Sequence, residues 1–190
     1  GVREVILLVG HMSSQIISYI GNGKAWELNI QVIKEIKPLG TGGAVQNALK
    51  ELQTNKEFIL LNGDSLTEVS LVEFCSKQKD ENSAHLVIVH QSNACRFGTV
   101  KFDRYNNLVR FQEKADHSLE GWINAGIYYF PDNWFAGKNL SENPVSLEIE
   151  MIPKWLLEER KLLVFQTEGK FFDIGTPESY SVFQNQKQFW

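Results

Sequence analysis

A chain of 190 residues with 43% hydrophobic content is long enough to bury one good core, and its length favours a single domain over residues 1–190. A net charge of −4, with no Lys/Arg cluster interleaved with aromatics, argues against a nucleic-acid surface but leaves room for a small phosphorylated ligand. No apolar run approaches the roughly 18 residues that span a bilayer, no signal-peptide pattern opens the chain, and Cys75 and Cys95 lack a CxxC partner, so the cytoplasm is the expected compartment.

Residues 3–9 form a nearly continuous apolar run that suits a strand covered on both faces, ending at Gly10. Ser13 or Ser14 caps a short helix through Ile16, Ile17 and Ile20, which the Gly21-Asn22-Gly23 cluster stops. Residues 30–33 give the next strand. Helical spacing of Ala44, Val45, Ala48, Leu49 and Leu52 follows, then a buried strand over 57–61, a helix through Leu71, Val72, Phe74 and Cys75, and a strand over 84–89. Such a βαβαβαβ succession predicts a parallel sheet with right-handed crossovers.

The grammar changes after residue 95. Residues 97–102 and 108–111, joined at Asn106-Asn107, read as a hairpin, and 126–130 as a further strand. Leu147, Met151, Ile152, Trp155 and Leu156 predict an amphipathic helix that Pro153 bends. Residues 162–165 and 170–172 read as a last strand pair around Glu168-Gly169, and Thr176-Pro177 starts a terminal helix with Thr as N-cap. The expected fold is α/β: a Rossmann-like, mostly parallel sheet flanked by helices, with an antiparallel insertion in the second half.

Three segments, around residues 35–43, 62–64 and 173–177, are the foremost candidates for chemistry, with Glu113-Lys114 and Glu148 beside them. Glycines in Pro38-Leu39-Gly40-Thr41-Gly42-Gly43-Ala44 let backbone N–H groups approach an anion or a base edge at a helix start, but the spacing is neither GxGxxG nor GxxxxGK[ST]. As a bare turn between strand and helix the segment needs no ligand. Glu35, just before it, is either solvated or an acceptor for a guanine's ring N–H and amino group. Asp64 follows an apolar strand and is either a helix cap or a ligand to Mg²⁺, which takes one or two protein carboxylates. Asp173 is its natural companion, since Thr176 already serves as the cap. Glu113-Lys114 is a surface pair of little consequence, or a sugar and phosphate contact if it stands near a metal. Glu148 and Glu150 suit a helix N-terminus without further function.

In order, Glu35, Pro38–Ala44, Leu61-Asn62-Gly63-Asp64, Arg96-Phe97-Gly98, Phe111-Gln112-Glu113-Lys114, Ile123-Asn124-Ala125-Gly126-Ile127, Ser146-Leu147-Glu148 and Phe172-Asp173-Ile174-Gly175-Thr176-Pro177-Glu178 resemble the sugar-1-phosphate nucleotidylyltransferases over nearly the whole chain. The likeness is nearest to the mannose-1-phosphate and heptose-1-phosphate guanylyltransferase type. It implies base contacts from Glu35, Leu39, Gly40, Thr41 and Gly43, sugar contacts from Gly98, Glu113, Asn124 and Glu148, Lys114 on the sugar phosphate, and Mg²⁺ on Asp64 and Asp173. Asp64, Lys114 and Asp173 are then the catalytic set. The implied reaction moves a nucleoside monophosphate, GMP favoured, from a nucleoside triphosphate to a sugar 1-phosphate and releases pyrophosphate. The same reaction with UTP, CTP or dTTP, and a non-catalytic nucleotide-sugar-binding module, are the alternatives.

Members of that family open with a strand and a Gly-Gly-x-Gly-Thr-Arg-type triphosphate loop, whereas Gly1-Val2-Arg3-Glu4-Val5 matches their second strand. The expectation is therefore an amino-terminally incomplete copy of a longer protein, with little turnover if the chain is whole. Phe183, Phe189 and Trp190 pack on the core or on a second copy of the chain, a homo-oligomer, with core packing favoured.

Overall fold

The computed structural model describes residues 1–77, 82–112, 120–137 and 143–186. Its contacts group into two compact units, Gly1–Thr54 with Gly137–Met151, and Asn55–Ala136 with Ile152–Trp190.

In the first unit, β1 (Glu4–Val9) pairs in parallel with β2 (Asn29–Lys34), from Glu4 opposite Asn29 to Val9 opposite Lys34. The crossover contains α1 (Ser13–Ile20) and a 3₁₀ turn, Lys24–Trp26. The expected serine cap is absent: Met12 holds the cap position in a left-handed conformation without a side-chain bond, and Ser13 is buried at the helix start. Gly21 ends the helix as anticipated, donating to the Ile17 carbonyl at 2.9 Å. After β2, α2 (Gly40–Glu51) buries Ala44, Val45 and Ala48, and its first turn lies against residues 145–151.

The anticipated single helix after residue 146 has a π-helical start at Leu147–Met151, followed by α4 (Ile152–Leu157) in the second unit. The Ser146 carbonyl accepts from Glu150 at the four-residue spacing of an α-helix and from Met151 at the five-residue spacing of a π turn. Pro153 lies in the first turn of α4, where a missing N–H is tolerated.

The second unit contains β3 (Phe58–Leu61), β4 (Ser65–Thr67), α3 (Leu71–Ser76), β5 (Ala84–Gln91), β6 (Thr99–Phe102), β7 (Leu108–Gln112), β8 (Gly121–Phe130), β9 (Leu162–Thr167), β10 (Phe171–Asp173) and α5 (Pro177–Asn185). Its main sheet runs β7-β6-β8-β5-β9, with β3 also on β8. Strands β3, β5, β6 and β9 share one direction, while β7 and β8 oppose them. The chain is thus α/β with a mixed, mostly co-directional sheet flanked by helices. The parallel succession anticipated from the sequence is interrupted where β8, from late in the chain, inserts antiparallel between β3 and β5. Residues 84–89 of β5 are all buried, as a central strand apolar on both faces must be.

Two local expectations change. Residues 162–165 and 170–172 do not pair with each other: β9 runs parallel to β5, and β10 pairs with β4, a short strand where a helix directly after Asp64 was anticipated. Phe74, Val87, Val89, Ile123 and Ile127 form the core beneath this region, with Phe97, Phe165 and Phe171 packed on it. The terminal helix starts as anticipated, with the Thr176 hydroxyl accepting from the Ser179 N–H and Pro177 in the first turn. Phe183 of that helix meets Phe172 edge-on at 5.3 Å, whereas Phe189 and Trp190 lie outside the described residues. Among the described residues no helix is long and apolar enough to cross a membrane.

Candidate functional site

The β4–β10 ladder brings the two aspartates together. Asp173 stands opposite Ser65, and the Ile174 N–H donates to the Asp64 carbonyl at 2.8 Å. Both side chains converge over Gly175: a Cβ there would lie 3.0 Å from Asp64 Oδ2 and 3.1 Å from Asp173 Oδ1. The Gly175 N–H donates to the same Asp173 oxygen at 2.9 Å, orienting that carboxylate from below. Two hard oxygen donors above a residue with no side chain make a space that fits a small divalent cation keeping several of its own waters. Among the described residues no group of three or more His, Cys, Asp and Glu side chains has metal-holding geometry, so this pair would be the whole protein contribution from them.

Beside the pair, Arg96 Nη2 lies 3.4 Å from Asp173 Oδ2. Gly98 and Asn124 are brought together, the Asn124 N–H donating to the Gly98 carbonyl at 3.3 Å. Asn124 owes its placement to a bulge, because Leu86 faces Tyr128 while Ile88 faces Asn124, leaving extra residues on β8. Gly126 takes the positive φ of 73° that this bulge requires, and a Cβ on it would press 2.9 Å from Asn62 Cβ. The Asn124 amide is used locally: Oδ1 accepts from the Gly126 N–H at 3.0 Å and Nδ2 donates to the Tyr128 hydroxyl at 2.5 Å.

The glycine segment belongs to the first unit, and there the structure favours packing over open amides. The Gly42 and Gly43 N–H groups, the ones a helix start would offer to an anion, donate to the Val145 carbonyl at 2.9 and 3.1 Å. Gly40 has φ 74°, and a Cβ on it would sit 2.5 Å from that same oxygen. Thr41 donates to Glu148 Oε2 at 2.7 Å and accepts from the Leu147 N–H at 2.8 Å, while Ser146 adds a second hydroxyl to Glu148 at 3.2 Å. Thr41 and Glu148, assigned to base and sugar respectively, are therefore one hydrogen-bonded set. Glu35 is not merely solvated: Oε2 accepts from the Leu39 N–H at 3.1 Å and closes the turn leading to Gly40. Its carboxylate keeps acceptor capacity beyond that bond.

Glu113 and Lys114 lie outside the described residues. Sequence reasoning noted Arg96 and Gly175 only as motif letters, yet they complete the surroundings of the aspartate pair. Gly175 could have been found from its two-residue spacing after Asp173, the separation at which a backbone N–H reaches back to an Asp side chain. The Arg96 contact has no such local signal, since it spans 77 positions of sequence.

The Nucleotidyl transferase family profile matches residues 1–188. D-glycero-alpha-D-manno-heptose 1-phosphate guanylyltransferase of Aneurinibacillus thermoaerophilus is 32% identical over 191 residues, which cover 100% of this chain and 80% of that protein. Mannose-1-phosphate guanylyltransferase of Mycobacterium tuberculosis is 29% identical over 95% of this chain, which spans only 50% of that longer protein. Among solved structures, HddC from Yersinia pseudotuberculosis superposes with a TM-score of 0.83 at 28% identity, covering 100% of this chain and 80% of that one. The same protein complexed with GMP-PN gives 0.79 at 27%, covering 97% and 78%. With the profile spanning almost every residue, the chain belongs to the nucleotidyl transferase family, as a sugar-1-phosphate nucleotidyltransferase.

Proposed function

We propose that the chain transfers GMP from GTP to a mannose- or heptose-type sugar 1-phosphate. The observation that supports this most is the convergence of Asp64 and Asp173 over Gly175, an arrangement of two carboxylates that would suit a phosphate-bound Mg²⁺. The names of the relatives favour guanine and these two sugars, and the heptose enzyme is the one whose length this chain covers to 80%. In the reaction an oxygen of the sugar phosphate attacks the α-phosphorus of the triphosphate, the bond to the β-phosphate oxygen breaks, and pyrophosphate leaves. No covalent intermediate on the protein is needed, so positioning and charge neutralisation carry the catalysis.

Asp64 and Asp173 would hold Mg²⁺, which when bound supplies Lewis-acid neutralisation of phosphate charge. Glu35, with its turn closed by Leu39, accepts from the Watson–Crick edge of guanine, with Gly40, Thr41 and Gly43 lining the approach. The resemblance would assign sugar contacts to Gly98, Glu113, Asn124 and Glu148, and the sugar phosphate to Lys114 as a point charge.

Pyrophosphate release tests the reading, measured with GTP, UTP, CTP and dTTP against mannose 1-phosphate and heptose 1-phosphate. Release that needs Mg²⁺, is strongest with GTP and vanishes in Asp64→Asn and Asp173→Asn is expected. Activity with UTP alone would refute the base assignment. Tight binding of GDP-mannose without any pyrophosphate release would identify a nucleotide-sugar-binding module instead.

A further inference from the structure

We propose that Arg96 is a phosphate-holding residue, kept beside the cation site by Asp173 and passed to a substrate phosphate when the site fills. The inference rests on the reading of Asp64 and Asp173 as that site.

The position of Arg96 is built rather than incidental. It occupies a short turn in which the Cys95 N–H donates to Asn93 Oδ1 at 3.3 Å and the Phe97 N–H to the Ala94 carbonyl at 3.0 Å. The next residue, Phe97, sets its ring edge-on against Phe171 at 5.4 Å, and Phe171 lies two positions before Asp173 on the same face of β10. That aromatic anchor fixes how the turn meets the strand and brings the guanidinium 3.4 Å from Asp173 Oδ2. The other carboxylate oxygen, Oδ1, is held by the Gly175 N–H and faces the space shared with Asp64.

The pair is a poor device for stability. Arg96 keeps 59% of its side chain exposed, and ion pairs of this length and exposure contribute little. It is well suited to exchange. Arginine carries five N–H donors in a planar fork that matches phosphate oxygens two at a time, and one contact to Asp173 leaves most of that fork toward solvent. Arg96 would share the negative charge of Asp173 with any divalent cation that Asp64 and Asp173 hold. As that charge is neutralised, the guanidinium finds its better partner in a phosphate arriving with the cation. Arg96 thus serves first as counter-ion to Asp173 and then as phosphate clamp. The phosphate is that of the sugar 1-phosphate or of the departing pyrophosphate.

Mn²⁺ binding followed by electron paramagnetic resonance, with calorimetric titration of pyrophosphate and of mannose 1-phosphate in the presence of Mn²⁺, separates the roles. In Arg96→Gln, Mn²⁺ alone should bind about three- to tenfold more tightly, because a competing positive charge is gone. The same variant should bind one of the two phosphates at least roughly tenfold more weakly, and the one affected identifies the clamp's ligand. Arg96→Lys should restore the wild-type Mn²⁺ affinity but only part of the phosphate affinity, since the fork is lost. Unchanged Mn²⁺ and phosphate binding in Arg96→Gln, with Mn²⁺ binding still lost in Asp173→Asn, would overturn the role of Arg96 and leave the cation site standing. Mn²⁺ binding that is absent from the wild type, or insensitive to Asp64→Asn and Asp173→Asn, would overturn both.

Discussion

Asp64 and Asp173, 109 positions apart in the chain, are locked side by side by a three-residue ladder in which Asp173 faces Ser65 and Ile174 bonds back to the Asp64 carbonyl. Their carboxylates converge above Gly175, so a methyl group at that position would intrude on one oxygen of each. Gly175 does not adopt a positive φ, and its added Cβ would lie 3.0 and 3.1 Å from one oxygen of each aspartate. Gly175→Ala is therefore expected to melt within a few degrees of the wild type while losing at least about tenfold in Mn²⁺ affinity. Thermal unfolding and a Mn²⁺ titration on one preparation check both halves. A full-affinity site in Gly175→Ala would show that the cation does not sit between these two carboxylates.

Thr41 bridges the Leu147 N–H and the Glu148 carboxylate with one hydroxyl. Thr41→Val keeps the shape but leaves that part-buried N–H without its acceptor, a loss of about 1–3 kcal/mol. Thr41→Ser retains the hydroxyl and is expected to recover most of it. Urea unfolding of the three proteins measures the difference. Equal stability of the Val and Ser variants would mean that the bridge contributes nothing.

Much of the fold was legible because it is periodic. The buried run of β5, the helical spacing of α2 and the Thr176-Pro177 cap each announce themselves within a dozen residues. The pairing of those elements was not legible. β4 has three residues and no hydrophobic alternation to read, and β10 is equally short, so the ladder that joins the aspartates is specified only by its tertiary partner. The glycine segment was legible as a turn but not for its cause. Its glycines at 40 and 42 answer the close approach of Val145 and Met151, more than a hundred positions away, which no local pattern records. Of the candidate residues, Asp64 and Asp173 meet as a pair, Gly98 and Asn124 as a second, and Thr41 with Glu148 as a third. Each meeting follows from long-range packing.

Gly40 and Gly21 offer a controlled comparison of that close approach. Both have positive φ, 74° and 60°, but a Cβ at Gly40 would lie 2.5 Å from the Val145 carbonyl oxygen, whereas at Gly21 none of the described residues would come within 4 Å of it. Gly21→Ala bears only the backbone strain of φ 60° and ψ −134°, about 1–3 kcal/mol. Gly40→Ala bears the strain of its own positive φ plus a collision with main chain that cannot rotate away, so its loss in denaturant unfolding is expected to exceed that of Gly21→Ala by at least about 1 kcal/mol. Matching losses would mean that the 145 segment yields freely and does not hold the glycine turn.

Tyr129 donates its hydroxyl to Glu57 Oε2 at 2.5 Å, and Glu57 is itself anchored by its N–H to Asp132 Oδ1 at 2.6 Å. Burial pushes the Tyr129 phenol far above its ordinary value near 10, and the hydrogen bond to Glu57 and its negative charge push it further. The folded protein thus keeps this proton when the unfolded chain has released it. Stability from the raised value is complete below about pH 10 and falls as pH rises beyond it, because there the unfolded state binds fewer protons than the folded one. Urea unfolding from pH 8 to about 11.5 should show that decline in the wild type. In Tyr129→Phe the protein should be weaker by about 1 kcal/mol at pH 8, through the lost hydrogen bond, with a shallower decline at high pH. Parallel alkaline limbs for the two proteins would show that other groups, and not this buried phenol, set the high-pH boundary.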